Sequence, residues 1–132
     1  MPTRRRTASA GARIVPVHRA EYQSNGIPRP GEFSVQRKSA RGSVRVIRGP
    51  DEFHELQPGE ILVAPLTAPA WTPLFNRAAA VVTDVGSAAS HASIIAREYG
   101  IPAVVGCGDA TARLHTGMRV TVDGSTGNVE PA

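Results

Sequence analysis

The residues with the greatest capacity for chemistry lie in one short run. Asp84 to Ala89 is a loop of small side chains, and Ser90-His91 follows it directly. Small side chains let backbone N–H groups come close to a ligand. A helix that begins here adds unpaired N–H groups and the positive end of its dipole. Such a setting favours an anion. His91 stands in the first turn, and a neutral imidazole is a nucleophile. A phosphoryl group transferred to it has its oxygens where those N–H donors converge. The helix end also disfavours the imidazolium and keeps the ring neutral near neutral pH. By residue type alone, the same histidine also fits a surface or capping role, and both readings stand at this point. Gly86 by itself is no phosphate loop, and the G-x-x-x-x-G-K-[ST] pattern is missing, which argues against direct nucleotide binding.

The elements that must hold this run can be read from periodicity and punctuation. Ser90 is a good N-cap, His91 to Tyr99 reads as a helix, Gly100 sits where a left-handed C-terminal residue belongs, and Pro102 forbids continuation. In that helix Ile94 and Ile95 are expected on the face that packs against a sheet. Before it, Ser43–Arg48 alternates as a half-buried strand, Asp51 can cap a short turn through Phe53 and Leu56, and Glu60–Ala64 and Ala79–Thr83 read as buried strands. Thr67–Pro73 is expected to be a loop, with a short helical stretch near Leu74–Arg77. After the helix come Ala103–Val105 as a strand, a short helix from Asp109 to Leu114, and Arg119–Val122 with Asn128–Glu130 as a hairpin-like pair. Strand, loop, helix and strand in succession make an α/β domain with some antiparallel pairing at its turn-rich end.

A length of 132 residues allows one compact domain and a tail. The net charge of +4 is unevenly spread: residues 1–42 carry +7 and residues 43–132 carry −3. A nucleic-acid function would therefore have to reside in the basic leader, since the remainder is mildly acidic. Residues 1–38 mix Arg, Ser, Ala, Gly and Pro with one short apolar patch, and are expected to be a disordered, solvated leader. A nucleic-acid arm and a transit-like segment are the sharper alternatives. Residues 39–132 are expected to be the folded domain. No apolar stretch is long enough to cross a bilayer, and no signal-peptide core follows Arg4-Arg5-Arg6, so a cytoplasmic location is expected. Cys107 is the only cysteine, which excludes an intramolecular disulfide and a cysteine metal cage.

Gly86-Ser87-Ala88-Ala89-Ser90-His91-Ala92-Ser93-Ile94-Ile95-Ala96-Arg97-Glu98-Tyr99-Gly100-Ile101-Pro102-Ala103-Val104-Val105-Gly106 resembles the phosphohistidine signature of the phosphoenolpyruvate-utilising enzymes. That family includes pyruvate phosphate dikinase, phosphoenolpyruvate synthase and the rifampicin phosphotransferases. Gly42 with its strand, Gly59–Val63, Thr67–Leu74, Val122-Asp123-Gly124 and Gly127-Asn128-Val129 resemble the same mobile domain, so the likeness covers roughly residues 40–132. It implies a swivelling β/β/α phosphohistidine-type domain with a mixed sheet and short helices. It also implies that His91 is the covalent carrier, with Gly86, Ser87, Ser90 and Thr67 as candidate phosphate contacts and no metal.

In the family the domain moves between an ATP-grasp nucleotide site and a second acceptor site, bearing a phosphoryl or pyrophosphoryl group. This chain has room for the carrier alone. The resemblance thus implies partners: an ATP-grasp nucleotide-binding protein and a second phosphoryl-acceptor or barrel protein. It implies no cofactor bound by the chain itself, with Mg-ATP or phosphoenolpyruvate at the partner sites. Two positions depart from the pattern. Ser87 stands where the family has Gly or Ala, and Ala89 where it has Thr, which removes a hydroxyl and, in plant-type dikinases, the regulatory phosphorylation site. A phosphotransferase component and a degenerate binding module of the same fold are the two function classes left open.

Other residues invite plainer readings. Arg97 is expected to make a salt bridge to the body of the domain. Thr67 is open between loop hydrogen bonding and phosphate contact. Trp71 suits packing or docking, His18, His54 and His115 suit solvent, and Cys107 suits a small apolar niche.

Overall fold

In the computed structural model, residues 37–132 are described, so the expectation of a disordered leader lies outside the described residues for 1–36. Arg37 and Lys38 belong to the fold: the Arg37 N–H donates to the Gly100 carbonyl at 2.9 Å, and the Gly124 N–H donates to the Lys38 carbonyl at 2.8 Å.

Among the described residues six strands form one curled sheet in the order β4-β3-β2-β1-β5-β6. They are β1 (Ser39–Val46), β2 (Ile61–Ala64), β3 (Ala80–Thr83), β4 (Ala103–Val104), β5 (Arg119–Asp123) and β6 (Asn128–Pro131). Strand β1 changes partner along its length. Its Ser39–Ser43 half pairs antiparallel with β5, and its Val44–Val46 half pairs parallel with β2. The pairs β2–β3 and β3–β4 are parallel, and β5–β6 is antiparallel. The expected mixed sheet with short helices is what the chain forms.

Successive residues of a strand face opposite sides, so β2 and β3 feed two cores. Leu62, Ala64 and Val81 pack with Ile47, Leu56, Trp71, Leu74, Phe75, Ala92 and Ala96 beneath the helices on one face. Ile61, Val63, Ala80 and Val82 pack on the other with Ala110, Leu114, Val120, Val122 and Val129. Burial on both faces explains why β2, and β3 up to its final Thr83, are continuous apolar runs with no polar alternation.

Among the described residues four short helices complete the fold: α1 (Pro50–Glu55) and α2 (Pro69–Asn76), both 3-10 helices, then α3 (His91–Tyr99) and α4 (Ala110–Arg113). Three details correct the sequence reading. The first helix starts after Gly49 with Pro50 in its first turn, so Asp51 lies inside that turn and does not cap it. The expected loop Thr67–Pro73 is mostly helix α2, because Pro69 at its start has a backbone angle suited to a helix and no N–H to leave unpaired. On α3 the buried residues are Ala92, Ser93 and Ala96, Ile95 is partly buried, and Ile94 is 40% exposed. The small residues allow close approach to the sheet and Ile94 is turned outward. Helix α3 ends as expected at Gly100 in the left-handed conformation, φ 74°. Among the described residues no helix is long and apolar enough to cross a membrane.

Candidate functional site

The carboxyl ends of the parallel strands β2 and β3 bring the site together. Pro65–Asn76 follows β2 and carries Thr67 and Thr72, and Asp84–Ser90 follows β3 and leads into α3, whose first residue is His91. The two connections are tied to each other: the Asp84 and Val85 N–H groups donate to the Ala64 and Pro65 carbonyls at 3.2 and 2.9 Å.

Both ring nitrogens of His91 are engaged by threonine. Thr67 Oγ1 lies 2.7 Å from Nδ1, and Thr72 Oγ1 lies 3.2 Å from Nε2. A neutral imidazole has one N–H and one lone pair, so one threonine accepts from the ring while the other donates to it. Phe75 stands edge-on to the ring, centroids 5.8 Å apart and planes at 86°. The half-buried ring has its pKa lowered, and the cause is desolvation. The direction agrees with the reading from the helix end, while burial is what produces it. Near neutral pH the ring is therefore uncharged, with one nitrogen lone pair that accepts from a threonine hydroxyl and is nucleophilic once that hydroxyl withdraws.

The loop before the histidine is folded tightly on itself. The Ser87 carbonyl accepts from the Ser90 N–H at 2.9 Å, from Ser90 Oγ at 2.7 Å and from Ser93 Oγ at 2.9 Å. Ser93 is fully buried. Ser90 occupies the N-cap position, yet its hydroxyl makes no cap bond because it donates to Ser87 instead; the expected side-chain cap is corrected accordingly. Gly86 has φ 145°, and a Cβ there would stand 3.0 Å from Ser90 Oγ, so the turn requires glycine. The start of the loop is held by Asp84, whose carboxylate accepts from the Thr111 N–H at 2.9 Å and the Thr111 hydroxyl at 2.6 Å.

Of the residues singled out from sequence, the structure brings Thr67 onto the ring of His91. The Ser87 hydroxyl accepts the Ala89 N–H at 3.3 Å, so both serine side chains serve the turn. Ala89 is exposed at its surface. Sequence reading did not single out Thr72, Ser93 or the Asp84–Thr111 pairing. Pro69 was the available signal for Thr72, since a helix starting there sets Thr72 one 3-10 turn further on. Arg97 makes no salt bridge among the described residues, and its Nη2 is buried without a hydrogen-bond partner, contrary to expectation. Trp71 is 7% exposed and packs edge-on against Phe53, centroids 4.9 Å apart, which settles it as a packing residue. Cys107 is buried, with its thiol pushed up to about 12 by desolvation and by the nearby Asp84 and Asp109. His54 and His115 are exposed, and His18 lies outside the described residues.

The two segments that carry Thr67, Thr72 and His91, residues 65–76 and 85–96, contain no Asp, Glu, Lys or Arg. Leu66, Val85 and Ile94, at 53, 61 and 40% exposure, lie within these segments and close in sequence to Thr67, Gly86 and His91. Among the described residues no group of three or more His, Cys, Asp or Glu side chains could hold a metal ion.

Residues 56–127 match the family model described as PEP-utilising enzyme, mobile domain. The chain is 53% identical over 90 residues to the uncharacterized phosphotransferase YvkC of Bacillus subtilis, covering 68% of this chain and 11% of that protein. It is 46% identical over 99 residues to phosphoenolpyruvate synthase of Escherichia coli, covering 73% of this chain and 12% of the relative. The chain thus spans about an eighth of the length of these relatives. Among solved structures, a solution structure of an Enzyme I protein is similar at 34% identity and a TM-score of 0.53, over 60% of this chain and 33% of that one. Aconitase X of Thermococcus kodakaraensis, at 21% identity and a TM-score of 0.58 over 92% of this chain and 99% of its own, shares the fold.

Proposed function

This chain belongs to the family of mobile domains of phosphoenolpyruvate-utilising enzymes, and on that premise we propose that it is a phosphohistidine carrier with His91 as the covalent acceptor. The observation that carries the reading is the placement of a neutral imidazole in the first turn of α3 with each nitrogen engaged by a threonine hydroxyl. Thr67 is 7% exposed and holds Nδ1 at 2.7 Å, whereas Thr72 is half-buried and meets Nε2 at 3.2 Å. In this reading the ring N–H is on Nδ1, with Thr67 accepting it. The lone pair is then on Nε2.

Transfer follows from this arrangement. The Nε2 lone pair attacks the phosphorus of the donor, the N–P bond forms, the bond from phosphorus to the leaving group breaks, and the leaving group departs with that electron pair. Thr67 retains the Nδ1–H and offsets the positive charge that develops on the ring. The reverse sequence on a second substrate delivers the group to its acceptor. Backbone N–H groups at the start of α3 favour the phosphoryl oxygens, with Gly86, Ser87 and Ser90 shaping the turn that precedes them.

Donor and acceptor sites belong to partner proteins or partner domains: an ATP-grasp nucleotide site and a second acceptor site of the barrel or small-molecule type. Mg-ATP or phosphoenolpyruvate binds there, and the chain works in the cytoplasm. The absence of Asp, Glu, Lys and Arg from residues 65–76 and 85–96 supports this division, because the charge of a polyphosphate is then neutralised by the partner's own cations. Incubation of the full chain with such a partner and Mg-ATP is the test. An acid-labile, alkali-stable phosphoryl or pyrophosphoryl group on His91, absent from His91→Ala, is expected. Undiminished label on His91→Ala overturns the proposal, and a wild-type chain that stays unlabelled by every phosphoryl donor points to a non-transferring module of the same fold.

A further inference from the structure

Both nitrogens of His91 are occupied at rest, so one hydroxyl has to leave before the ring can attack anything. Nothing in the backbone needs to move for this to happen at Thr72. Helix α2 is anchored by Trp71 against Phe53 and by Leu74 and Phe75, each 1% exposed, in the core. Thr72 itself is half-buried, and its contact to Nε2 is the longer of the two. Rotation about its χ1 between staggered wells withdraws the hydroxyl and leaves the helix in place. Thr67 is the opposite case: it is buried and held close to Nδ1.

We infer that Thr72 is a guard on the nucleophile: its hydroxyl donates to the Nε2 lone pair at rest, ties up the electron pair that must attack, and is turned aside when a phosphoryl donor enters. This rests on the carrier reading and goes beyond it, because it assigns the two threonines opposite effects. Thr67 assists transfer by fixing the tautomer, and Thr72 restrains it. A carrier guarded in this way keeps its lone pair satisfied between visits to its partner sites.

Potassium phosphoramidate tests the guard without any partner. In the zwitterionic reagent the phosphorus–nitrogen bond breaks as the His91 Nε2–phosphorus bond forms, ammonia departs with the electron pair, and the Nδ1–H stays on the ring. The full chain is treated as wild type, Thr72→Ala, Thr72→Val, Thr72→Ser and Thr67→Val, and label on His91 is followed by intact mass and peptide mapping. Thr72→Ala and Thr72→Val are expected to label about two- to tenfold faster than wild type, the factor that loss of one neutral hydrogen bond represents. Thr72→Ser, which keeps the hydroxyl, is expected to return toward the wild-type rate, and Thr67→Val to label more slowly. A dispersed amide spectrum verifies folding of each variant, and the ring ¹⁵N signals are expected to shift at Nε2 in Thr72→Val. Thr72→Ala and Thr72→Val rates at or below wild type, with wild-type His91 labelled, overturn the guard and leave the carrier standing. An unlabelled His91 in both wild type and Thr72→Ala overturns the carrier reading and the guard together.

Discussion

Strands β2 and β3 are buried at every position, whereas β5 and β6 alternate buried residues with half-exposed or exposed ones. The two halves of the sheet meet at β1, and the candidate site lies on the parallel half. Parallel strands end on the same side, so the connections that leave β2 and β3 emerge together, and a ligand site forms outside the carboxyl ends. The segment after β4 joins them, as the Cys107 and Gly108 N–H groups donate to the Thr83 and Asp84 carbonyls at 3.0 and 2.9 Å. In the antiparallel half, β5 turns back through Gly124–Gly127, where the Asp123 carboxylate accepts the Ser125 and Thr126 N–H groups at 2.9 and 3.2 Å and satisfies the turn locally. A hairpin closes on itself, whereas a crossover leaves loops free to converge on His91.

The largest test of this division is a pair of truncations, one in each half. Leu62→Ala in β2 removes a side chain with no exposure and is expected to cost about 2–5 kcal/mol in urea unfolding. Thr121→Ala in β5, half-buried on the solvated side, is expected to stay within about 0.5 kcal/mol. Equal losses would show that the halves do not differ in the way described. Next in size is Gly86→Ala. A side chain at φ 145°, with a Cβ 3.0 Å from Ser90 Oγ, is expected to cost about 1–3 kcal/mol and to slow phosphoramidate labelling of His91 by displacing the turn.

Smaller again is Ser90→Ala, expected to cost about 1 kcal/mol through loss of the bond to the Ser87 carbonyl. Ser90→Asp separates the causes: a carboxylate caps helices well but cannot donate to a carbonyl, so restoration of stability by Asp would show that capping mattered after all.

The smallest effect is pH dependence. The pKa of His91 is lowered in the folded chain by desolvation, so its contribution to stability is present above the ordinary imidazole value and is lost as pH falls through the folded value. Glu60 follows the same sign at lower pH. Desolvation raises its pKa, but the Arg45 hydrogen bond, the Gln57 N–H and the Arg45 charge outweigh it and hold the pKa below the usual carboxyl range. Arg45 Nε and Nη2 donate to its two oxygens at 3.0 and 3.1 Å. Melting temperatures between pH 7 and 3 are expected to fall in two modest steps, the first absent in His91→Ala and the second reduced in Glu60→Gln. A first step that persists in His91→Ala would assign it to another group.

How much of this was legible from residues alone depended on whether the signal was local. Helix α3 was readable to its ends because Ser90, Gly100 and Pro102 each act on their immediate neighbours. Strands β2 and β3 were readable as uninterrupted apolar runs. His91 stood out because its loop and helix are adjacent in sequence. Thr72 did not, because its role depends on a contact across 19 positions and on a 3-10 helix that a Pro-containing stretch disguised as loop. Ile94 reads as a residue of the sheet-packing face, but the sheet accepts Ala92, Ser93 and Ala96 and leaves the larger side chain outside. Ser90 was recognised as a cap by its position, while the choice of the Ser87 carbonyl as its partner is set by the tight turn at Gly86, which spacing does not reveal.

The most direct measurement is assignment of the phosphorylated nitrogen. Uniformly ¹⁵N-labelled full chain is treated with potassium phosphoramidate, and the imidazole nitrogens of His91 are observed by long-range proton–nitrogen correlation with phosphorus coupling. The expected result is one phosphoryl group on Nε2 of His91 with Nδ1 as the remaining ring nitrogen, stable in alkali and lost in acid. Phosphorylation on Nδ1, or on a different histidine with His91 untouched, would contradict it.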